Sequence, residues 1–147
     1  LTACMPQLEP VEGVIYGQYQ CDQDTFEQGD NTHAFGYIEL PFTVCGELST
    51  VDYVNNQYSG DVDYLSFQLG AGGNFSLELE WDKELADYDL FLFIVRNVNN
   101  VEEIGSAAAE DYPEVINVEL EADIEYTAVI AGYSGPSSPW GLTVKRQ

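Results

Sequence analysis

Positive charge is almost absent from this sequence of 147 residues: 4 Lys+Arg stand against 26 Asp+Glu, giving a formal net charge of −22 at pH 7. This shortage excludes nucleic-acid binding, because neutralising phosphates requires basic side chains that displace their counterions. It argues equally against electrostatic attachment to anionic lipid. The acidic side chains therefore either gather divalent cations or keep the surface hydrated and soluble in salt.

Long apolar runs and helical periodicity are also scarce. No run approaches the length of a membrane-spanning helix, and only residues 82–86 and 104–110 have a plausible helical pattern. The charge does not indicate disorder, because 45% of the residues are hydrophobic and the chain holds 10 Tyr, 7 Phe and 2 Trp. A chain of this length is most simply one domain with a single core.

The prevailing period is two, which is typical of half-buried β-strands. Residues 75–81 (FSLELEW) alternate apolar and polar side chains, as do residues 64–69, 115–120 and 140–144. Residues 90–95 (LFLFIV) are apolar on both faces and residues 126–133 nearly so, which predicts central strands covered on both sides. With frequent turn signals between the runs, we predict an all-β antiparallel sandwich, jelly-roll-like, with about 8 strands and little helix.

The three cysteines suggest two different roles. Cys21 and Cys45 flank a polar segment, and a disulfide between them would stabilise the fold by roughly 3 kcal/mol through loop closure. Cys4 ends the tetrapeptide LTAC, which resembles the lipobox of bacterial lipoproteins, where the cysteine is lipidated. We therefore expect a secreted, periplasmic or outer-membrane-anchored bacterial protein. Residues 1–20 would be an anchor or linker with a possible extra strand, and residues 21–147 the domain.

Two Asp-x-Asp pairs open strand-like runs. Asp61 and Asp63 begin residues 61–67 (DVDYLSF), and Asp87 and Asp89 begin residues 87–93 (DYDLFLF). The one-residue spacing places both carboxylates of a pair on one face of a strand. Clustered carboxylates repel one another unless a cation lies between them, so the pattern raises the question of cation binding. The alternative is that Asp61 and Asp63 make turn and strand-start hydrogen bonds to backbone amides.

The order of elements from residue 42 to 144 resembles the bacterial pre-peptidase C-terminal domain. These β-sandwich modules are appended to secreted peptidases, and the collagen-binding domains of bacterial collagenases are related to them. The matching segments are residues 44–46 (VCG), 61–67, 73–79 (GNFSLEL), 87–93, 126–133 (YTAVIAGY) and 140–144 (WGLTV).

The same resemblance implies a calcium site. Calcium-binding members carry an acidic segment before the first strand that supplies ligands. Here residues 27–32 occupy the corresponding place, without the proline of the family pattern. The implied Ca²⁺ ligands are Glu27, Asp30, Asn31, Asp61, Asp63, Asp87 and Asp89.

Catalytic motifs do not stand out. The single histidine, His33, lies in a polar segment that we expect to be a loop, so a serine or cysteine nucleophile has no evident base. One His and three dispersed Cys match no zinc spacing. Among 26 acidic residues some pair always fits glycosidase chemistry, so that signal discriminates nothing. We therefore expect a chain that is not an enzyme.

Surface tyrosines offer a second route to binding, because aromatic rings stack on sugars and grip protein strands. Collagen-binding relatives use tyrosines in this way, which makes Tyr58 and Tyr133 the candidates. The alternative is that most aromatic residues belong to the core. The sequence thus favours a non-catalytic extracellular or cell-envelope accessory module that binds a protein or polysaccharide. A carbohydrate-binding module and a structural spacer with a solubilising acidic surface remain open.

Overall fold

The structure is a computed structural model that describes residues 13–18, 20–21, 32–108 and 112–147. This part of the chain forms twelve β-strands and no helix. The strands are β1 Val14–Tyr16, β2 Thr32–Tyr37, β3 Phe42–Glu47, β4 Tyr53–Val54, β5 Gln57–Tyr58, β6 Val62–Gln68, β7 Gly73–Trp81, β8 Asp87–Asn97, β9 Asn100–Ala107, β10 Glu114–Leu120, β11 Glu125–Ser134 and β12 Pro139–Arg146.

Ten of these strands form two five-stranded sheets. Sheet A has the order β1-β3-β12-β7-β10, and sheet B has the order β2-β6-β11-β8-β9. All neighbours are antiparallel except β2 and β6, which are parallel. Strands β4 and β5 form a separate hairpin. The prediction of an all-β sandwich is confirmed, with more strands than expected, because β1, β2 and the short hairpin give weak periodic signals.

The core lies between the sheets and follows the predicted alternation. In β7, Phe75, Leu77 and Leu79 are fully buried, as are Leu90 and Leu92 of β8. The intervening Phe91 and Phe93 are only partly exposed on the opposite face of sheet B. Strand β8 therefore has one face in the core and an apolar second face directed outward.

Both predicted helical stretches are wrong. Residues 82–86 form a turn in which the N–H groups of Leu85 and Ala86 donate to the carbonyl of Asp82. Residues 104–107 belong to β9, where Gly105 pairs with Leu92. In both places the pairing and packing of neighbouring strands outweigh a weak local helical pattern. His33 also differs from expectation, because its backbone lies in β2 opposite Leu65 rather than in a loop.

The predicted disulfide is confirmed. Cys21 and Cys45 are bonded, with their α-carbons 5.7 Å apart. The bridge lies against β12, since a β-carbon built on Gly141 would be 2.7 Å from the sulfur of Cys21. It therefore fastens the N-terminal segment to sheet A. Cys4 lies outside the described residues. In the part of the chain that the structure describes, no helix is long and apolar enough to cross a bilayer.

Candidate functional site

The first Asp-x-Asp pair is engaged by donors of the protein itself. Asp61 precedes β6, and its Oδ2 accepts hydrogen bonds from the backbone N–H of Ser49 at 2.8 Å and from its hydroxyl at 3.1 Å. Asp63 is in phase with the core residues of β6 and is 3% exposed. Its Oδ2 accepts a hydrogen bond from the indole N–H of Trp140 in sheet A at 2.9 Å.

The second pair lies on the opposite face of sheet B. Asp87 and Asp89 alternate with the core residues Tyr88 and Leu90, so their side chains project away from the space between the sheets. Asp89 is nevertheless buried, because the hairpin covers this end of the face. The hydroxyl of Tyr58 in β5 donates a hydrogen bond to Oδ2 of Asp89.

A third carboxylate joins this pair from the other sheet. Glu114 begins β10, is 2% exposed, and places a ligand oxygen within 4.8 Å of ligand oxygens of Asp87 and Asp89. The pairing of β9 with β8 ends at Leu90 and Ala107, so both aspartates lie beyond the last pair. Among the described residues, Asp87, Asp89 and Glu114 form a group of side chains that could together bind a metal ion. We call this group the acidic cluster.

Sequence reasoning missed Glu114. The sequence feature that could have identified it is its place in the two-residue alternation of β10. Glu114 lies on the same face of the strand as Ile116 and Leu120, which are both buried. A carboxylate in the register of core residues is unusual and commonly has a specific partner.

Burial dominates the electrostatics of the cluster. It raises the pKa of Asp89 from an ordinary value of 3.8 to about 6, and the charge of Asp87 adds to the increase. The hydrogen bond from Tyr58 acts in the other direction, since it favours the ionised form. The pKa of the Tyr58 phenol is itself raised well above its usual range, first by burial and then by its bond to Asp89.

The remaining residues of the implied calcium site are not all available for comparison. Glu27, Asp30 and Asn31 lie outside the described residues, so their role stays a prediction. Asp63 projects toward the opposite face of sheet B from Asp87 and Asp89, and Asp61 lies just before β6. The structure therefore brings the second pair together with Glu114 and keeps the first pair hydrogen-bonded elsewhere.

The two candidate tyrosines belong to a row of aromatic rings on the hairpin side of sheet B. Tyr133 packs on Tyr53 with ring centroids 4.7 Å apart, Tyr53 on Tyr58 at 4.9 Å, and Tyr58 on Phe91 at 5.6 Å. Tyr133 is 47% exposed, whereas Tyr58 is partly buried and directs its hydroxyl to Asp89. Tyr133 therefore offers a free ring edge, and Tyr58 joins the row to the acidic cluster.

A groove continues from this row across the outer face of sheet B. Its floor is apolar, and its borders carry amide and phenol groups together with Glu103. The lining residues are Asn56, Gln57, Tyr58, Val62, Tyr64, Phe91, Phe93, Glu103, Val129 and Ala131. We call this surface, with Tyr53 and Tyr133, the aromatic groove.

Solved structures share this architecture. The pre-peptidase C-terminal domain of a collagenase from Bacillus anthracis is 14% identical, with a TM-score of 0.56 over 80% of this chain and 97% of that one. PliG of Aeromonas hydrophila, a periplasmic inhibitor of g-type lysozyme, is 13% identical, with a TM-score of 0.53 over 83% of this chain and 99% of that one. A surface-associated copper-binding protein of Methylomicrobium album BG8 is 7% identical, with a TM-score of 0.54 over 79% and 100%.

At these identities the likeness concerns the fold. The resemblance to the pre-peptidase C-terminal domain is confirmed at that level. No family model and no curated protein sequence matches this chain.

Proposed function

We propose that this chain is a non-catalytic accessory module of the bacterial exterior or cell envelope, and that it binds an extracellular protein through the aromatic groove. The observation that carries the proposal is an apolar, partly exposed groove on a protein whose net charge is −22. Exposed apolar surface on a strongly charged protein commonly marks an interaction site.

The chemistry of the groove favours a partner that is both apolar and basic. Phe91, Phe93 and Val129 supply the apolar floor, and Glu103 supplies negative charge at its border. The field of the whole molecule attracts positively charged partners and repels acidic ones. An extended segment with alternating apolar and basic side chains fits these features.

An extracellular location is supported by the Cys21–Cys45 disulfide, because such bonds persist in oxidising compartments. The structural neighbours include a periplasmic inhibitor and a surface-associated protein, which fits the same setting. Lipidation of Cys4 remains a prediction. The non-catalytic assignment is supported by the single histidine of the sequence, which leaves nucleophiles without an evident base.

Binding to defined probes tests the proposal. The immobilised chain is presented with two peptide sets of equal apolar content, one basic and one acidic, and with an array of bacterial polysaccharides. We expect retention of the basic peptides, with affinity at least about tenfold weaker for Tyr133→Ala and for Glu103→Lys. Tyr37→Ala is the matched control, because Tyr37 is 58% exposed and does not line the groove.

Each other outcome overturns the proposal. Peptide retention that survives both groove substitutions would place the contact elsewhere. Retention of polysaccharides alone, lost in Tyr133→Ala, would make the chain a carbohydrate-binding module. Retention of no probe would favour the structural spacer.

A further inference from the structure

The acidic cluster Asp87–Asp89–Glu114 has the spacing of a cation site. Its three ligand oxygens lie within 4.8 Å of one another. Two oxygens bound to one calcium ion, each at about 2.4 Å, are separated by at most about 5 Å. Small side-chain adjustments, without a rearrangement of the strands, would therefore let one ion contact all three carboxylates.

A buried oxygen of Asp89 provides an independent indication of a ligand. Asp89 is 2% exposed, and its Oδ2 is occupied by the hydroxyl of Tyr58. Its Oδ1 is also buried but accepts no hydrogen bond from the residues that the structure describes. A buried carboxylate oxygen without a donor is costly, and a bound cation removes that cost.

Positive charge from this chain's own side chains is scarce. The sequence has 4 Lys+Arg, and three of them have contacts with other residues. Lys145 pairs with Glu78, Arg146 lies over the ring of Phe75, and Lys83 lies over the ring of Tyr112. A dissolved cation is a ready source of the charge that three neighbouring carboxylates attract.

The ligand atoms indicate the class of cation. All three are carboxylate oxygens, which hard cations such as Ca²⁺ prefer, whereas Cu²⁺ and Zn²⁺ are commonly held by nitrogen or sulfur ligands. Besides the Asp89 oxygen that Tyr58 occupies, the three carboxylates offer up to five oxygens, and water would complete the six to eight that calcium takes.

We propose that Asp87, Asp89 and Glu114 bind a calcium-type divalent cation that links β8 of sheet B to β10 of sheet A. This site differs from the one implied by the sequence resemblance, because it includes Glu114 and does not require Asp61 or Asp63. It is independent of the partner proposed for the aromatic groove.

Titration of the chelator-treated full chain tests the site. We expect one Ca²⁺ bound per chain by calorimetry and an increase in melting temperature on addition of Ca²⁺. Glu114→Gln and Asp89→Asn keep the side-chain shapes and should weaken Ca²⁺ binding at least about tenfold. Asp61→Asn is the matched control, since it removes a carboxylate of the other pair and should leave the affinity unchanged.

Terbium luminescence gives a second measurement that does not depend on stability. Tb³⁺ is a hard cation that replaces Ca²⁺ at oxygen sites and emits when a nearby tyrosine transfers excitation to it. We expect Ca²⁺-displaceable emission that falls in Tyr58→Phe, because Tyr58 contacts Asp89. Phe keeps the ring through which Tyr58 contacts Tyr53 and Phe91.

Three results would overturn the site. The first is that the wild-type protein shows neither heat of binding nor a change in melting temperature on addition of Ca²⁺. This is the result expected if a proton shared between the carboxylates, rather than a cation, relieves their repulsion. The second is Ca²⁺ binding of undiminished affinity in Glu114→Gln. The third is an equal loss of affinity in Asp61→Asn, which would move the ion to the first pair.

Discussion

The two Asp-x-Asp pairs have the same spacing and both lie where a strand begins, yet the fold uses them differently. Asp61 and Asp63 accept hydrogen bonds from Ser49 and Trp140. Asp87 and Asp89 lie together with Glu114. The difference originates in phase: Asp63 alternates in step with the core residues of β6, whereas Asp89 alternates out of step with those of β8.

Phase determines what each carboxylate meets. A carboxylate on the inner face reaches the facing sheet, where the indole N–H of Trp140 is available. A carboxylate on the outer face meets the covering hairpin, whose Tyr58 supplies one hydroxyl donor. The comparison shows that a paired-carboxylate motif has no fixed meaning until the buried face of its strand is known.

The largest expected effect is a pH dependence that belongs to the second pair. The pKa of Asp89 in the folded protein, about 6, lies above its ordinary value of 3.8, so the folded state keeps this proton longer. The proton on Asp89 therefore contributes its full stabilisation below about pH 3.8, and this contribution is lost as the pH rises through about 6. The difference of 2.2 corresponds to at most about 3 kcal/mol.

This dependence can be isolated with Asp89→Asn in the presence of a chelator. The free energy of unfolding in urea is measured for the variant and the wild type at about pH 4 and about pH 7.5. As the pH rises, the wild type should lose up to about 3 kcal/mol more of this free energy than the variant loses. A stability difference that is the same at both pH values would contradict the raised pKa.

The next effect concerns the first pair. Asp63→Ala removes the acceptor for the Trp140 indole N–H, and both residues are buried. An orphaned buried donor costs about 2 kcal/mol, which we expect to see as a lower free energy of unfolding in urea. Asp63→Asn keeps an acceptor oxygen and serves as the control. Equal losses in the two variants would show that charge, rather than the hydrogen bond, matters at this position.

Much of the fold could be predicted from the sequence, because it depends on local periodicity. The alternation in residues 75–81 gives the buried face of β7 correctly, with Leu77 and Leu79 in the core. The disulfide could also be predicted, because Cys4 ends the lipobox-like tetrapeptide and leaves Cys21 and Cys45, which flank a polar segment, as the pair. The strand number was underestimated, since a two-residue strand such as Gln57–Tyr58 has no period to detect.

The candidate site was only half predictable. Asp87 and Asp89 are separated by one residue, but residues 90–95 are apolar on both faces, so the sequence leaves their phase open. Glu114 joins them from another sheet, 25 residues beyond Asp89. That meeting depends on where the pairing of β8 with β9 ends and on how the sheets pack, and neither is a local property of the chain.

A smaller effect tests the connection between the hairpin and the second pair. Tyr58→Phe removes the hydroxyl that donates to Asp89 and retains the ring, so we expect a loss of about 1 kcal/mol in urea unfolding near neutral pH. The pKa of Asp89 should rise further, because the lost bond favoured its ionised form. Tyr37→Phe is the control, since it removes a hydroxyl bonded to Asp123 at an exposed site and should change stability little. A loss in Tyr58→Phe no greater than in Tyr37→Phe would show that the hairpin is not held through this bond.

The smallest effect should come from the exposed member of the first pair. Asp61 bonds Ser49 in a solvent-exposed setting, and Asp61→Asn keeps one oxygen for the Ser49 N–H. That oxygen can accept both Ser49 bonds and water can solvate the new NH₂ group, so we expect a loss of about 0.5 kcal/mol or less in urea unfolding. Asp61→Ala removes the oxygen that accepts both bonds and should cost more, about 1 kcal/mol, because the Ser49 N–H then relies on water alone. Asn keeps the acceptor oxygen and loses only the charge. A loss of more than about 2 kcal/mol in Asp61→Asn would therefore mean that this carboxylate is needed for its charge. The two pairs would then share one electrostatic role despite their opposite faces, and the distinction drawn from their phase would fail.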